Sequence, residues 1–394
     1  TNKLLGRLII FCISQETSLL NIERIFAIKI CLSEIYCVRF MLNTNLKSLR
    51  HFSFYSKFAL LSPIIISLLV IVSIISLSSG AVSTTYQDTI NYLFSFILNS
   101  SDIDPIKEKV ISNIRLPRII LSILVGASLA VSGASLQGIF KNPMADPGII
   151  GVSSGAAVGA VTILSLGFAS YSILMIPIFS FIGGLSAAFI VFIISKLASN
   201  SSSSAFILSG LAVSTFLNSI ISLIILSSKK FGELTSILGW LAGGFQDSRW
   251  EHVYMTFPII LLTLPILIIY SNKINILSLS DDSAKSLGLN VNKDRLIILI
   301  LATLVTSVSV AVSGILAFVG IMIPHITRLI VGPDNRVVIP VSALIGSLFI
   351  LSGDLLARTI MLPNEIRLGV ITSFVGAPYF IFLLIKQRKT YVER

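Results

Sequence analysis

The chain has 394 residues, of which 54% are hydrophobic and only 12% charged, with a mean hydropathy of +0.94. Soluble domains carry about 25% charged residues, so a soluble enzyme, a disulfide scaffold and a disordered regulator are excluded, and an all-α polytopic membrane protein is expected. The formal charge of +11 does not point to nucleic acid, because the basic residues sit mainly in short connections between apolar runs, where lipid headgroups and membrane orientation account for them.

Residues 1–40 differ from the rest. They hold all three cysteines, Cys12, Cys31 and Cys37, scatter charges among short apolar stretches, and precede the first methionine, Met41. The basic region, single apolar core and small-residue cleavage site of a signal peptide are missing. The expected organisation is an upstream extension over 1–40, a cytoplasmic N-terminus over 41–57, a transmembrane domain over 58–388 and a cytoplasmic tail over 389–394.

Apolar runs predict ten spans at about 58–80, 116–137, 148–167, 173–195, 205–227, 253–271, 295–313, 315–331, 337–357 and 368–385. The third and eighth are short and rich in Gly and Ser, as expected of half-buried helices packed closely in a bundle. Ten spans place both termini on one side. With the N-terminus inside, the inner connections hold fifteen Lys and Arg and the outer ones nine, the sense that the positive-inside rule favours. The run Ser128-Leu129-Ala130-Val131-Ser132-Gly133 returns as Ser309-Val310-Ala311-Val312-Ser313-Gly314, the first copy running inward and the second outward. Two inverted, related halves of this kind are typical of transporters; chance likeness of small-residue helices is the alternative.

Chemistry within the polypeptide finds no support in the sequence. No Gly-Lys dipeptide occurs, so the phosphate-cradling loop of ATP-hydrolysing chains is missing. His51, His252 and His325 are scattered without metal-ligand spacing, and no nucleophile-elbow serine appears. No metal site and no directly bound cofactor are expected. Asp354 is the one carboxylate placed inside a span, which invites a proton-coupling reading. Arg358, one turn on, offers an i, i+4 ion pair instead.

The motifs in chain order carry a resemblance. Arg115-Leu116-Pro117-Arg118 opens the second span, followed by the small-residue helix around Gly126 to Gly133 and the connection Asn142-Pro143-Met144-Ala145-Asp146-Pro147. Later come Gly314 to Arg328, with Phe318-Val319-Gly320 and Pro324-His325 inside it, then Asp354, Ala357 and Arg358, and Pro363-Asn364-Glu365-Ile366-Arg367-Leu368-Gly369. Together they resemble the FecCD-type permease family of type II ABC importers for iron-siderophores, haem and cobalamin, over about residues 55 to 388. Gly353 stands where that family usually has Ala, and Arg367 where it has Pro, which leaves the outer loop less rigid than the pattern.

The resemblance implies a membrane-spanning permease subunit in a bacterial cell membrane, both termini cytoplasmic. It would work as a homo- or heterodimer of permeases with two cytoplasmic ATPase subunits, which use ATP and Mg, and with an extracytoplasmic binding protein or lipoprotein. Site roles follow by position. Asp281, Asp282, Ala284, Leu287 and Gly288 match a coupling helix, of which Ala284, Leu287 and Gly288 would insert into the ATPase groove; Ser280 replaces the usual Gly and is a plausible helix cap. A solvated loop is the plainer reading of that stretch. Ser203 and Ser204 would form the inner gate, although a serine run also serves as a polar turn. Arg115, Arg118 and Arg358 would receive acidic residues of the binding protein, with snorkelling to headgroups as the alternative. A proton-coupled secondary transporter using Asp354 is the rival function, and an intramembrane enzyme the weaker third.

Overall fold

The computed structural model describes residues 54–392 apart from 81–85, 88, 93–103, 200–202, 229 and 362. The expected extension over 1–40, most of the stretch 41–57 and the last two residues of the tail lie outside the described residues. Among the described residues there are helices and turns and no strand.

In chain order the helices are α1 (Phe54–Ser78), α2 (Pro105–Val110), α3 (Leu116–Phe140), α4 (Val152–Ser165), α5 (Met175–Ser199), α6 (Ser203–Ser227) and α7 (Phe231–Leu241). Then follow α8 (Trp250–Ile269), α9 (Ser271–Leu277), α10 (Asp281–Ser286), α11 (Val291–Ser313), α12 (Val319–Val331), α13 (Asn335–Thr359) and α14 (Leu368–Val392). Seven helical stretches are long and apolar enough to cross a membrane by length and composition, and α4, α12 and the first part of α14 are shorter apolar helices. These ten match the ten expected spans. Their outer faces carry Leu60, Ile71, Leu197, Phe216, Leu226 and Ile269 exposed, an apolar belt that suits hydrocarbon rather than water.

α3 is the axis of the bundle, buried along nearly its whole length. Its small residues explain why. A Cβ on Gly126 would lie 2.3 Å from the Gly346 carbonyl oxygen of α13, and one on Gly133 would lie 2.0 Å from that of Gly320 in α12. Backbones in contact at this range leave no room for a side chain. α13 runs antiparallel to α3, since Arg118 meets Asp354 at one end and Ser347 Oγ donates to the Ile123 carbonyl at 2.9 Å further along. α11 is antiparallel to α3 as well. Lys141 and Arg295 share Asp281, and midway Ser132 Oγ donates to the Ala302 carbonyl at 3.0 Å and receives Thr306 Oγ1 at 2.7 Å.

The repeated six-residue runs thus do lie on oppositely directed helices, but they diverge immediately afterwards. α3 continues seven residues past Gly133 and ends at Lys141, a left-handed residue at φ 54°. α11 ends at Gly314, φ 64°, and the chain stays non-helical until Phe318, itself left-handed at φ 67°. That break shortens the eighth expected span by four residues. The sequence reading also missed α7, whose eleven residues are too few to span a bilayer.

Candidate coupling and docking sites

At the end of the bundle where α3 finishes, the short helix α10 is closed at both termini. Ser280 is its N-cap, the hydroxyl accepting from the Ser283 N–H at 3.1 Å. At the other end the Gly288 N–H donates to the Lys285 carbonyl and the Leu289 N–H to that of Ala284, at 2.9 and 3.1 Å, a Schellman closure with Gly288 left-handed at φ 83°. Asp281 fastens the helix sideways, its Oδ1 accepting from Lys141 Nζ and from Arg295 Nη2, each at 3.0 Å. The Lys141 hydrogen bond, helped by Arg295, holds this carboxyl below the usual carboxylate range despite partial desolvation.

One expectation for this segment is corrected. Ala284 is fully buried against the chain's own core, with Leu277 and Val291 in the same cluster, so its methyl cannot enter a groove of another protein. The face that α10 and its flanks leave free carries Leu279, 53% exposed, Leu287, 62% exposed, and the fully solvated Asp282 carboxylate with Lys285 beside it.

Of the two gate serines, Ser204 is exposed in the first turn of α6, at the same end of the bundle as Phe140, whose ring lies 5.7 Å from that of Phe206. The Ser203 side chain, like Ser201 and Ser202, lies outside what the structure describes.

The opposite end gathers Arg115, Arg118 and Arg358, as expected, but not as a free receptor. Each is buried, at 4%, 6% and 4% exposure. Arg118 donates from Nε and Nη2 to Asp354 at 3.0 and 2.9 Å and from Nη1 to Glu365 at 3.0 Å. Arg358 faces Asp354 from the next turn, Nε to Oδ2 at 3.3 Å, and turns its two terminal nitrogens to the carbonyls of Ser79 and Ser76, the second also to the Ser76 hydroxyl. Arg115 Nη1 donates to the Leu77 carbonyl at 2.5 Å. The last carbonyls of a helix lack intrahelical donors and carry partial negative charge, so guanidinium groups placed there satisfy them. Arg115 and Arg358 therefore clamp the end of α1 onto the start of α3 and onto α13, while Arg118 joins α3 to α13. That is the physical reason they do not present themselves to a docking protein in this conformation. The i, i+4 pair between Asp354 and Arg358 is present, and Arg118, which the sequence reading did not connect to it, is the closer partner.

A second polar link, unassigned in the sequence, joins the halves near the Lys141 end of α3. Arg328 of α12 donates to Gln137 Oε1 and, at 3.3 Å, to the Ala134 carbonyl, while Gln137 Nε2 donates to the Gly320 carbonyl at 3.1 Å. The only signal for it was Arg328 standing at the end of the Pro324-His325 motif.

Comparison with known proteins fits this arrangement. A sequence profile for the FecCD transport family matches residues 68–386. The cobalamin import system permease BtuC of Halobacterium salinarum is 41% identical over 275 residues, covering 70% of this chain and 73% of the relative. The iron-uptake system permease FeuC of Bacillus subtilis is 33% identical over 330 residues, covering 82% and 96%. A solved ABC transporter of metal-chelate type, in an inward-facing conformation, superposes with a TM-score of 0.72 at 34% identity, covering 82% of this chain and 97% of its own. The chain is an ABC importer permease, embedded in the membrane, and belongs to the FecCD transport family.

Proposed function

We propose that this permease carries an iron-siderophore, or a haem- or cobalamin-like complex, inward as one of two permease subunits, served by two cytoplasmic ATPase subunits and an extracytoplasmic binding protein. ATP and Mg are used by the ATPase chains, and this chain binds no cofactor directly. The end of the bundle bearing α10 and Lys141 faces the cytoplasm, with both termini on that side, and the end bearing Arg118 faces outward. The relatives support the cargo class, since their names include cobalamin import and iron uptake.

The observation that carries the reading is α10 itself, a capped helix with exposed Leu279 and Leu287, tied through Asp281 to both α3 and α11. An apolar knob on a short rigid helix suits the groove of a partner, and the carboxylate links its movement to both halves. Ser203 and Ser204, at the start of α6 on that side, form the inner gate. The rival reading, proton coupling through Asp354, loses support from the two guanidinium groups already on that carboxylate. The test is uptake of radiolabelled ferric siderophore, haem and cobalamin into vesicles containing the permease, its ATPase and its binding protein. Uptake of one of these that requires ATP and withstands collapse of the proton gradient is expected. Uptake driven by the gradient without ATP would reverse the conclusion.

A further inference from the structure

At the Arg118 end, a cavity of about 400 Å³ lies between α7, the start of α8 and the turn before α5. Arg367, which stands where the family pattern has Pro, points its guanidinium into it, so close over α7 that a Cβ on Gly239 would meet Nη2 at 2.5 Å. Its neighbour Glu365 is taken by Arg118, and among the described residues Arg367 itself has neither an acid nor a hydrogen-bond acceptor. Ser248 lines the same cavity. It is 8% exposed and its hydroxyl has no partner. A half-buried guanidinium and a buried hydroxyl on one cavity thus leave two sets of donors without a protein partner.

Of the other polar groups lining the cavity, the Ser236 hydroxyl donates to the Gly232 carbonyl and the Ser313 hydroxyl to the Ser309 carbonyl, each at 2.9 Å, and the Gln246 amide is a further polar group on the wall. His252 Nδ1 accepts from the Arg249 N–H at 3.3 Å, the role of a ring nitrogen that carries no proton. Asp247 and Arg249 stand exposed at the rim. With Arg367 the formal charge is two positive against one negative. Trp240 and Phe245 supply apolar wall.

We propose that this cavity binds a carboxylate carried on an organic body, with the Arg367 guanidinium as its charged partner and the Ser248 hydroxyl as a second donor. A guanidinium fork matches the two oxygens of a carboxylate. A net single positive charge beside aromatic wall suits a monoanion with an apolar body better than a phosphate dianion.

The binding needs neither ATPase nor transport, so it can be tested on the purified full-length permease in detergent, and its failure leaves the transport reading standing. The probe is benzoate, titrated by calorimetry against its uncharged isostere benzamide and against inorganic phosphate. Saturable benzoate binding is expected, with benzamide and phosphate at least about tenfold weaker, and with Arg367→Gln weakening benzoate by about tenfold or more, the range of a charge-assisted hydrogen bond. Arg367→Lys keeps the charge without the fork and should fall between, and Ser248→Ala should weaken binding by a few-fold. The proposal is overturned if benzoate does not bind, if benzamide binds equally, if phosphate competes equally, or if Arg367→Gln, shown folded by its circular dichroism, binds as the parent does.

Discussion

Arg118 and Asp354, 236 residues apart in the sequence, meet through two nitrogens of one guanidinium at 2.9 to 3.0 Å, with the carboxylate wholly shielded from solvent. A pair so buried is maintained because each partner removes the penalty of leaving the other charged and alone. Arg118→Ala or Asp354→Ala should therefore lower stability by about 3–5 kcal/mol, the range for breaking a buried ion pair from one side. The double replacement Arg118→Met with Asp354→Leu should recover much of that loss. Chemical unfolding of the four proteins in detergent checks this; losses in the double variant equal to the sum of the singles would show that the two residues act separately.

The approach of α3 to α13 depends on Gly126 and Gly346, each of which would place a Cβ within 2.4 Å of the other's carbonyl oxygen. Gly126→Val should separate the helices and destabilise by about 1–3 kcal/mol or more. Ser122→Ala, one turn earlier, removes only a hydroxyl that bonds its own helix at the Ile119 carbonyl and should change little. Melting temperatures of the two variants in one detergent make the comparison.

For the coupling segment, surface and interior substitutions should separate. Leu287→Arg places a charge on the exposed knob and should abolish permease-dependent stimulation of the ATPase while the permease melts normally. Ala284→Arg forces a cation into a fully enclosed position and should lower the melting temperature of the permease alone. Stimulation preserved in Leu287→Arg would remove that side chain from the contact.

The Asp281 tie has a pH signature. Its carboxyl is held below its ordinary value, so the tie contributes at neutral pH, above the unfolded value near 3.9, and is lost as the pH falls through the lower folded value. Amide exchange across α10 should be faster in Asp281→Asn than in the parent at neutral pH. The difference should close only below about pH 4. A difference that closes between pH 5 and 7 would assign the effect to another group.

The ten apolar helices were legible because a span needs a long apolar run, and nothing else in the chain produces one. Ser280 marked the start of α10, since cap chemistry is local. Long-range pairing was not legible. Arg115, Arg118 and Arg358 look alike as basic residues near span ends, and only the fold shows their acceptors, the α1 carbonyls and Asp354. Ala284 was read by motif position, whereas its burial is decided by packing with Leu277 and Val291, which no local pattern reports. α7 escaped because its amphipathic eleven residues resemble a loop when spans are sought by length.

α10 spans only six residues, about 9 Å at 1.5 Å per residue. A load applied at Leu287 reaches Asp281 through a single stiff link, with no slack loop to absorb it. Because Lys141 and Arg295 grip the same oxygen from the end of α3 and the start of α11, a push on α10 would be felt by both helices together.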